Sequence, residues 1–264
     1  MSGHAPTTVT LFIPCLMDGL FPQAAGDLVY LLRRLGFRLA YPPEQTCCGQ
    51  PAFNQGYFEP ARKLARRFIE LFEPAECIVC PSGSCTAMVK KHYEELFVQE
   101  PGFLERAQAL GEKIFEVSQF LTAYVPLEKI NARFPGKVTY HDSCHSARGL
   151  GIFAETRRLL ARVQGLELVE MEDSKACCGF GGLFSRRFPE VSAAIGMEKI
   201  KQIQATGADW VIGNDPGCLM QIQGQLHRQA LPIGVKHLVE VLAGRGRENK
   251  DEHRISNIQR PTSN

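Results

Sequence analysis

The chain has 264 residues, of which 44% are hydrophobic and 22% are charged, a composition ordinary for a globular protein with one large or two average domains. Its formal net charge is only +2, with acidic and basic residues interspersed, so the sequence lacks the footprint of a nucleic-acid-binding protein. No stretch approaches the ~18 apolar residues of a membrane-spanning helix, and the first residues lack the pattern of a signal peptide. We therefore expect a cytoplasmic protein without a transmembrane segment.

Short β-type runs alternate with longer helical patterns along the chain. In the first half they predict strands at 8–14, 37–41 and 77–80 and helices at 23–35, 59–72 and 84–97. In the second half they predict strands at 137–141, 166–170 and 210–213 and helices at 153–163, 191–205 and 219–228. Alternation of this kind is typical of βαβ units with a parallel sheet. The sequence therefore predicts an α/β fold.

Ten cysteines set the chain apart, because a reducing cytosol disfavours structural disulfides and favours thiols that bind metals or carry out redox chemistry. Eight of them fall into two similar sets. The first cysteine set is Cys15, Cys47, Cys48 and Cys85, and the second cysteine set is Cys144, Cys177, Cys178 and Cys218. Corresponding members lie 129 to 133 residues apart, and a glycine follows each Cys-Cys doublet. So constant an offset indicates a duplication.

The duplication predicts two tandem βαβ lobes, at 1–130 and 131–243, with a joint at 131–136, where Pro135-Gly136 favours a turn. The remaining residues, 244–264, are predicted to form a disordered basic tail. In each lobe the cysteines follow predicted strands, which places them on loops at the strand carboxyl ends, where ligands gather in open α/β sheets. We expect the three loops of each lobe to converge on one site.

The doublets favour an iron–sulfur cluster over a single zinc ion. Successive side chains of an extended backbone point in opposite directions, so two adjacent thiolates reach one small ion only on a distorted loop, whereas a cluster offers several irons. The glycine after each doublet allows a positive φ and brings amide groups close to the sulfurs. Cys77, by contrast, alternates with the interior of an apolar strand and is predicted to be a core residue.

The two sets are unequal. Cys80 offers the first set a fifth thiol, whereas Gly213 stands at the matching position of the second. Zinc in one module, with Asp215 as an oxygen ligand, therefore stays open as an alternative. His141 and His145 flank the first thiol of the second set, and each is interpreted as a ligand, a proton carrier or a hydrogen-bonding loop residue. His145 is the better functional candidate, because it follows the thiol into the loop.

The spacing of each set resembles the cysteine-rich CCG domain family, which includes a subunit of heterodisulfide reductase and the iron–sulfur subunits of glycolate oxidase. The motifs Phe-Ile-Pro-Cys-Leu at 12–16, Gln-Thr-Cys-Cys-Gly-Gln-Pro-Ala-Phe-Asn at 45–54, His-Asp-Ser-Cys-His at 141–145 and Cys-Cys-Gly-Phe-Gly-Gly at 177–182 more closely resemble the lactate utilization protein A family. The fuller CCG pattern ends in Cys-x-x-Cys, but Ser82 and Asp215 stand three positions before the last thiols.

The resemblance implies a [4Fe-4S]-type cofactor, one or two per chain and of non-cubane form in some relatives, bound by the two sets and Cys80. It implies an electron-transfer subunit, an oxidoreductase component of a multiprotein system that oxidises L-lactate or a similar 2-hydroxy acid. The sequence has no ferredoxin-type Cys-x-x-Cys-x-x-Cys run, so a ferredoxin-like iron–sulfur partner and other lactate-oxidation subunits are expected. Two alternatives stay open, a disulfide reductase acting through a site cluster and a zinc-stapled structural subunit.

Overall fold

The structure, a computed structural model, describes residues 5–245 and contains two four-stranded parallel β-sheets, one in each lobe. The strands are β1 (Thr8–Leu11), β2 (Arg38–Ala40), β3 (Ile78–Cys80) and β4 (Ile114–Glu116) in the first sheet, and β5 (Ala132–His141), β6 (Val163–Leu168), β7 (Trp210–Gly213) and β8 (Gly234–His237) in the second. Their orders, β2-β1-β3-β4 and β6-β5-β7-β8, are equivalent. The predicted α/β fold with two tandem, duplicated βαβ lobes is confirmed.

Helices connect the strands and cover the sheets. They are α1 (Cys15–Leu20), α2 (Pro22–Arg34), α3 (Gln50–Phe53), α4 (Phe58–Phe72), α5 (Gly83–Ala87), α6 (Tyr93–Leu96), α7 (Pro101–Lys113), α8 (Val117–Tyr124), α9 (Ala154–Leu160), α10 (Phe184–Arg187), α11 (Pro189–Ala205), α12 (Pro216–Arg228) and α13 (Leu238–Ala243). Two π-helical segments, Met88–His92 and His145–Gly149, and one 3-10 turn, Leu127–Lys129, complete the regular structure of the described residues. No helix within residues 5–245 is both long and apolar enough to cross a bilayer.

The sequence interpretation missed the edge strands β4 and β8 and the helix α7. The two strands have only three and four residues, too few for a periodic pattern. The predicted joint at 131–136 was wrong, because Ala132–His141 is one continuous strand whose pairing with β6 shifts register between Arg133 and Gly136. That bulge accommodates Pro135, which cannot donate a ladder hydrogen bond. Of the predicted tail, residues 246–264 lie outside the described part of the chain.

A shared apolar core joins the two lobes. Its buried side chains include Val9 and Leu11 of β1 and Val138 and Tyr140 of β5, each at most 2% exposed. Helix α2 packs against α13, and the Arg34 guanidinium at the end of α2 donates to two carbonyls in the last turn of α13, at 3.0 and 3.1 Å. Because burial of apolar surface is the main term that stabilises a fold, this core holds the two sheets in one arrangement.

Polar contacts also join the two lobes. The edge strands β4 and β8 end at Glu116 and His237, two buried residues that each cap the helix that follows. The His237 Nε2 lies 3.1 Å from the carbonyl oxygen of Pro81 in the first lobe. The amide of Gly83 donates to the carbonyl of Asn214 at 3.3 Å. The loops that follow β3 and β7 are therefore tied to each other.

Glu116 makes stability dependent on pH. Burial raises the pKa of its carboxyl from 4.5 to about 7, so the protonated form stabilises the fold below pH 4.5, and this stabilisation is lost as the pH rises to about 7. At ~1.4 kcal/mol per unit, the free energy of unfolding of the metal-free wild type should fall by roughly 3 kcal/mol relative to that of Glu116→Gln over this range. Urea denaturation of both chains at several pH values measures the difference. Parallel profiles would contradict the prediction.

Candidate metal centre

Both cysteine sets face a single cavity between the lobes. The cavity has a volume of about 600 Å³ and is lined by residues that follow β1, β2 and β3 of the first sheet and β5, β6 and β7 of the second. The thiols on its wall are Cys15, Cys47, Cys48, Cys85, Cys144, Cys177, Cys178 and Cys218. The prediction that three loops of each lobe converge at the strand carboxyl ends is confirmed. The sequence did not predict that the two sites would share one cavity.

Helix starts position three of these thiols. Cys15 is the first residue of α1, and Cys85 and Cys218 lie in the first turns of α5 and α12. The partial positive charge of a helix N-terminus favours a thiolate, but contact with Cys47 and burial outweigh this effect at Cys15, whose pKa is raised. These placements agree with the sequence interpretation.

The thiols of the first set lie close enough to shift one another's pKa values. Interaction with the thiols of Cys15 and Cys48 lowers the pKa of Cys47 to about 3, whereas contact with neighbouring thiols and burial raise the pKa values of Cys15 and Cys48. Cys85 is among the neighbours that raise the pKa of Cys48. A thiolate is therefore favoured at Cys47 over Cys15 and Cys48.

The second set is divided into a group of three thiols and a separate Cys–His pair. The thiol of Cys178 lies close enough to those of Cys177 and Cys218 to shift its pKa through both contacts. The Cys144 sulfur lies 3.5 Å from Nδ1 of His145, and this contact lowers the pKa of the thiol and raises that of the imidazole. The other ring nitrogen of His145 lies 3.3 Å from the Gln50 amide nitrogen of the first lobe, at the boundary between the two sets.

The glycine after each doublet has the conformation that the sequence predicted. Gly49 and Gly179 have φ values of 87° and 86°, and their amides donate to the sulfurs of Cys47 and Cys177 at 3.4 and 3.3 Å. A Cβ at Gly179 would lie 2.4 Å from the carbonyl oxygen of Ser192. Glycine is therefore required there both for its backbone angle and for its size.

The two positions at which the fuller motif has cysteine contact each other across the lobes. The Ser82 hydroxyl and the Ser84 amide donate to one carboxylate oxygen of Asp215, at 3.3 and 2.8 Å. The other carboxylate oxygen accepts from the amide of Gly217 at 3.2 Å and so caps α12. Both oxygens of Asp215 are therefore engaged by protein donors, and the residue ties the two lobes together.

The two remaining cysteines lie in the core. Cys77 is 3% exposed and packs in the shared apolar core, which confirms the prediction for this residue. Cys80 ends β3 and is fully buried in an apolar cluster of the first lobe, and its thiol donates to the carbonyl of Ser82 at 3.6 Å. Cys80 therefore lies behind the wall of the cavity rather than on it.

His141 lies closer to the second cysteine set than the sequence analysis, which favoured His145, had indicated. It ends β5, is 1% exposed, and a ring nitrogen lies with the sulfurs of Cys178 and Cys218 in a group whose atoms are all within 4.8 Å of one another. Neither ring nitrogen has a hydrogen-bond partner among the described residues. Burial, with the nearby Lys199 ammonium, lowers the pKa of the imidazole to about 3, so it is neutral at pH 7. An unpaired buried polar group costs about 1–3 kcal/mol.

Comparison with known proteins agrees with this site. The sequence model of the CCG family, described as a cysteine-rich domain, matches residues 9–90 and 138–223, which together make up more than half of the chain. The matched segments contain all eight thiols of the cavity. The fold and the site thus define a protein with two tandem cysteine-rich domains.

Individual relatives assign the chain to a more specific family within the cysteine-rich domain proteins. Lactate utilization protein A of Exiguobacterium sp. is 47% identical over 236 residues, which cover 89% of this chain and 96% of the relative. Lactate utilization protein A of Halalkalibacterium halodurans is 45% identical over 234 residues, with shares of 89% and 96%. The chain belongs to the lactate utilization protein A family, as the cysteine motifs indicated.

Among solved structures, a hypothetical protein from Helicobacter pylori has a similar fold, with a TM-score of 0.66 and 11% sequence identity. The similarity covers 93% of this chain, which spans half the length of that one.

Replacement of Gly179 tests the doublet loop. Gly179→Ala should destabilise the metal-free protein by at least ~2 kcal/mol more than Gly151→Ala, because alanine at 179 adds an atomic overlap to the cost of a positive φ. Gly151 is a matched control, since it also has a positive φ, 71°, but has open space around its Cβ position. Urea denaturation measures both changes. Equal destabilisation by the two substitutions would show that the close packing around residue 179 has no effect.

Proposed function

We propose that this protein is an iron–sulfur electron-transfer subunit of a multiprotein system that oxidises L-lactate, or a similar 2-hydroxy acid, to the 2-oxo acid. The observation that carries the proposal is the convergence of eight thiols, from two duplicated sets, on one cavity. The names of the relatives, lactate utilization protein A, support the assignment of this subunit to lactate oxidation.

The donor set fits an iron–sulfur cofactor. Soft thiolates select iron–sulfur clusters, zinc or copper(I), and adjacent cysteines suit the several irons of a cluster. The amides of Gly49 and Gly179 donate to sulfurs of the doublets, which is the contact that stabilises cluster-bound thiolates. Each cysteine set would hold one [4Fe-4S]-type cluster, cubane or non-cubane. A bound cluster supplies one-electron redox chemistry.

The chain's own residues place the two sets close together. The Ser82–Asp215 contact and the Gly83–Asn214 backbone hydrogen bond fix the loops after β3 and β7 against each other. Redox centres that share one cavity exchange electrons more readily than centres on separate surfaces. The rigid joining of the two loops therefore supports a role in electron transfer.

Oxidation of a 2-hydroxy acid removes two electrons, whereas an iron–sulfur cluster ordinarily transfers one. The sequence has neither a nicotinamide nor a flavin motif to accept a hydride. The proposal therefore includes partner subunits that oxidise the substrate and a ferredoxin-like subunit that relays the electrons.

Metal content tests the cofactor. The anaerobically purified or reconstituted wild type should contain iron and acid-labile sulfide and give an EPR signal on reduction. Cys48→Ser and Cys178→Ser should each lose about half of the iron, because each removes a buried thiol from one set only. Cys77→Ala is the matched control, a buried cysteine that lies in the core away from the cavity, and it should keep the full iron content.

An iron-free protein with all ten thiols titratable after anaerobic reconstitution would contradict the cofactor proposal. The lactate-oxidising role has its own test. L-lactate should reduce the clusters only when an extract containing the partner subunits is added, and not in the isolated protein. Steady turnover of a small disulfide by the isolated protein with an artificial electron donor would instead establish a disulfide reductase.

A further inference from the structure

The duplicated lobes differ at one pair of neighbouring positions next to the metal centre. In the second sheet, His141 at the end of β5 pairs in register with Gly213 at the end of β7. In the first sheet, the matching positions are Phe12, which directly follows β1, and Cys80 at the end of β3. The lobe with an extra thiol has no imidazole there, and the lobe with the imidazole has no extra thiol.

The second lobe has no side chain at the position that matches Cys80. A Cβ at Gly213 would lie 3.0 Å from Cδ2 of Leu219, so a larger side chain there would require the Leu219 side chain to shift. The ring of His141, on the adjacent strand, instead lies beside Cys178 and Cys218. The additional donor atom next to these two sulfurs is thus a nitrogen of His141 rather than a third sulfur.

The charged groups packed around His141 are engaged elsewhere. The Lys199 ammonium donates to the carbonyls of Asp173 and Ser174 at 2.8 and 3.3 Å. The Asp142 carboxylate accepts two hydrogen bonds from the guanidinium of Arg157. Neither group pairs with the imidazole, whose two nitrogens have no partner among the described residues. A buried imidazole without a hydrogen-bond partner has a ring nitrogen available to bind a metal.

We propose that His141 is a ligand of the metal group that the second cysteine set holds, together with Cys178 and Cys218. This inference rests on the proposed function only for the identity of that group, since the donor geometry also suits zinc. The second centre then has mixed nitrogen and sulfur ligation, in contrast to the all-thiol first set.

Pulsed EPR of a chain labelled with ¹⁵N-histidine tests the ligand directly. The Cys48→Ser variant is used, so that only the second centre is loaded, and the protein is reconstituted anaerobically and reduced. We expect a strongly coupled ¹⁵N signal that disappears in His141→Ala. The signal should persist in His145→Ala and in His237→Asn, the latter removing a buried imidazole that already has hydrogen-bond partners.

The measurement on the Cys48→Ser variant needs no substitution at residue 141. A folding defect in His141→Ala therefore does not affect it. A loaded second centre without a strongly coupled nitrogen, or a signal unchanged in His141→Ala, overturns the assignment. His141→Cys gives a second test. It replaces a neutral ligand by an anionic one, so the midpoint potential of the second centre should fall, and an unchanged potential also overturns the assignment.

Failure of the proposed function is distinguishable from failure of this inference. If the wild type carries zinc and no iron, the iron–sulfur function fails. X-ray absorption at the zinc edge then tests the ligand: one nitrogen among sulfur ligands, lost in His141→Ala, supports the assignment, and an all-sulfur shell overturns it.

Discussion

Burial of one apolar core by both lobes is the constraint on which the rest of the structure depends. Each sheet presents an apolar face that must be covered, and helices α2 and α13, from different lobes, pack together over the shared core. This packing turns the carboxyl ends of the two sheets toward each other. Six loops that would otherwise belong to two separate sites therefore enclose one cavity, and the Ser82–Asp215 contact ties two of them, those after β3 and β7, to each other.

A cavity with eight thiols cannot hold eight negative charges without a compensating cation. In the first set the pKa of Cys47 is lowered by its contacts with Cys15 and Cys48, while the pKa values of Cys15 and Cys48 are raised by their contacts with neighbouring thiols, by burial and by the nearby negative charges. A metal group bound by these sulfurs would remove this restriction, since thiols release their protons when they bind a metal. The same arrangement of sulfurs would thus determine both the affinity for a metal and the pKa values of the thiols.

The sequence predicted the parallel α/β lobes, the duplication, the core position of Cys77 and the convergence of the cysteines, because periodicity, spacing and strand-end placement are local properties. It missed β4 and β8, which are too short for a pattern, and took part of β5 for a joint, because Pro135-Gly136 occurs at a bulge as well as at a turn. The shared cavity and the importance of His141 depend on packing between segments far apart in the chain. The sequence showed His141 only as one of two histidines that flank Cys144, and their order along the chain favoured His145.

Anomalous diffraction at the iron edge, from crystals grown anaerobically, tests most directly the central claim that the two cysteine sets form paired centres in one cavity. The account predicts two separate iron peaks in the cavity, one bordered by Cys48 and the other by Cys178, with His141 next to the second. Iron at a surface site, or no iron at either doublet in a protein with intact thiols, would contradict it.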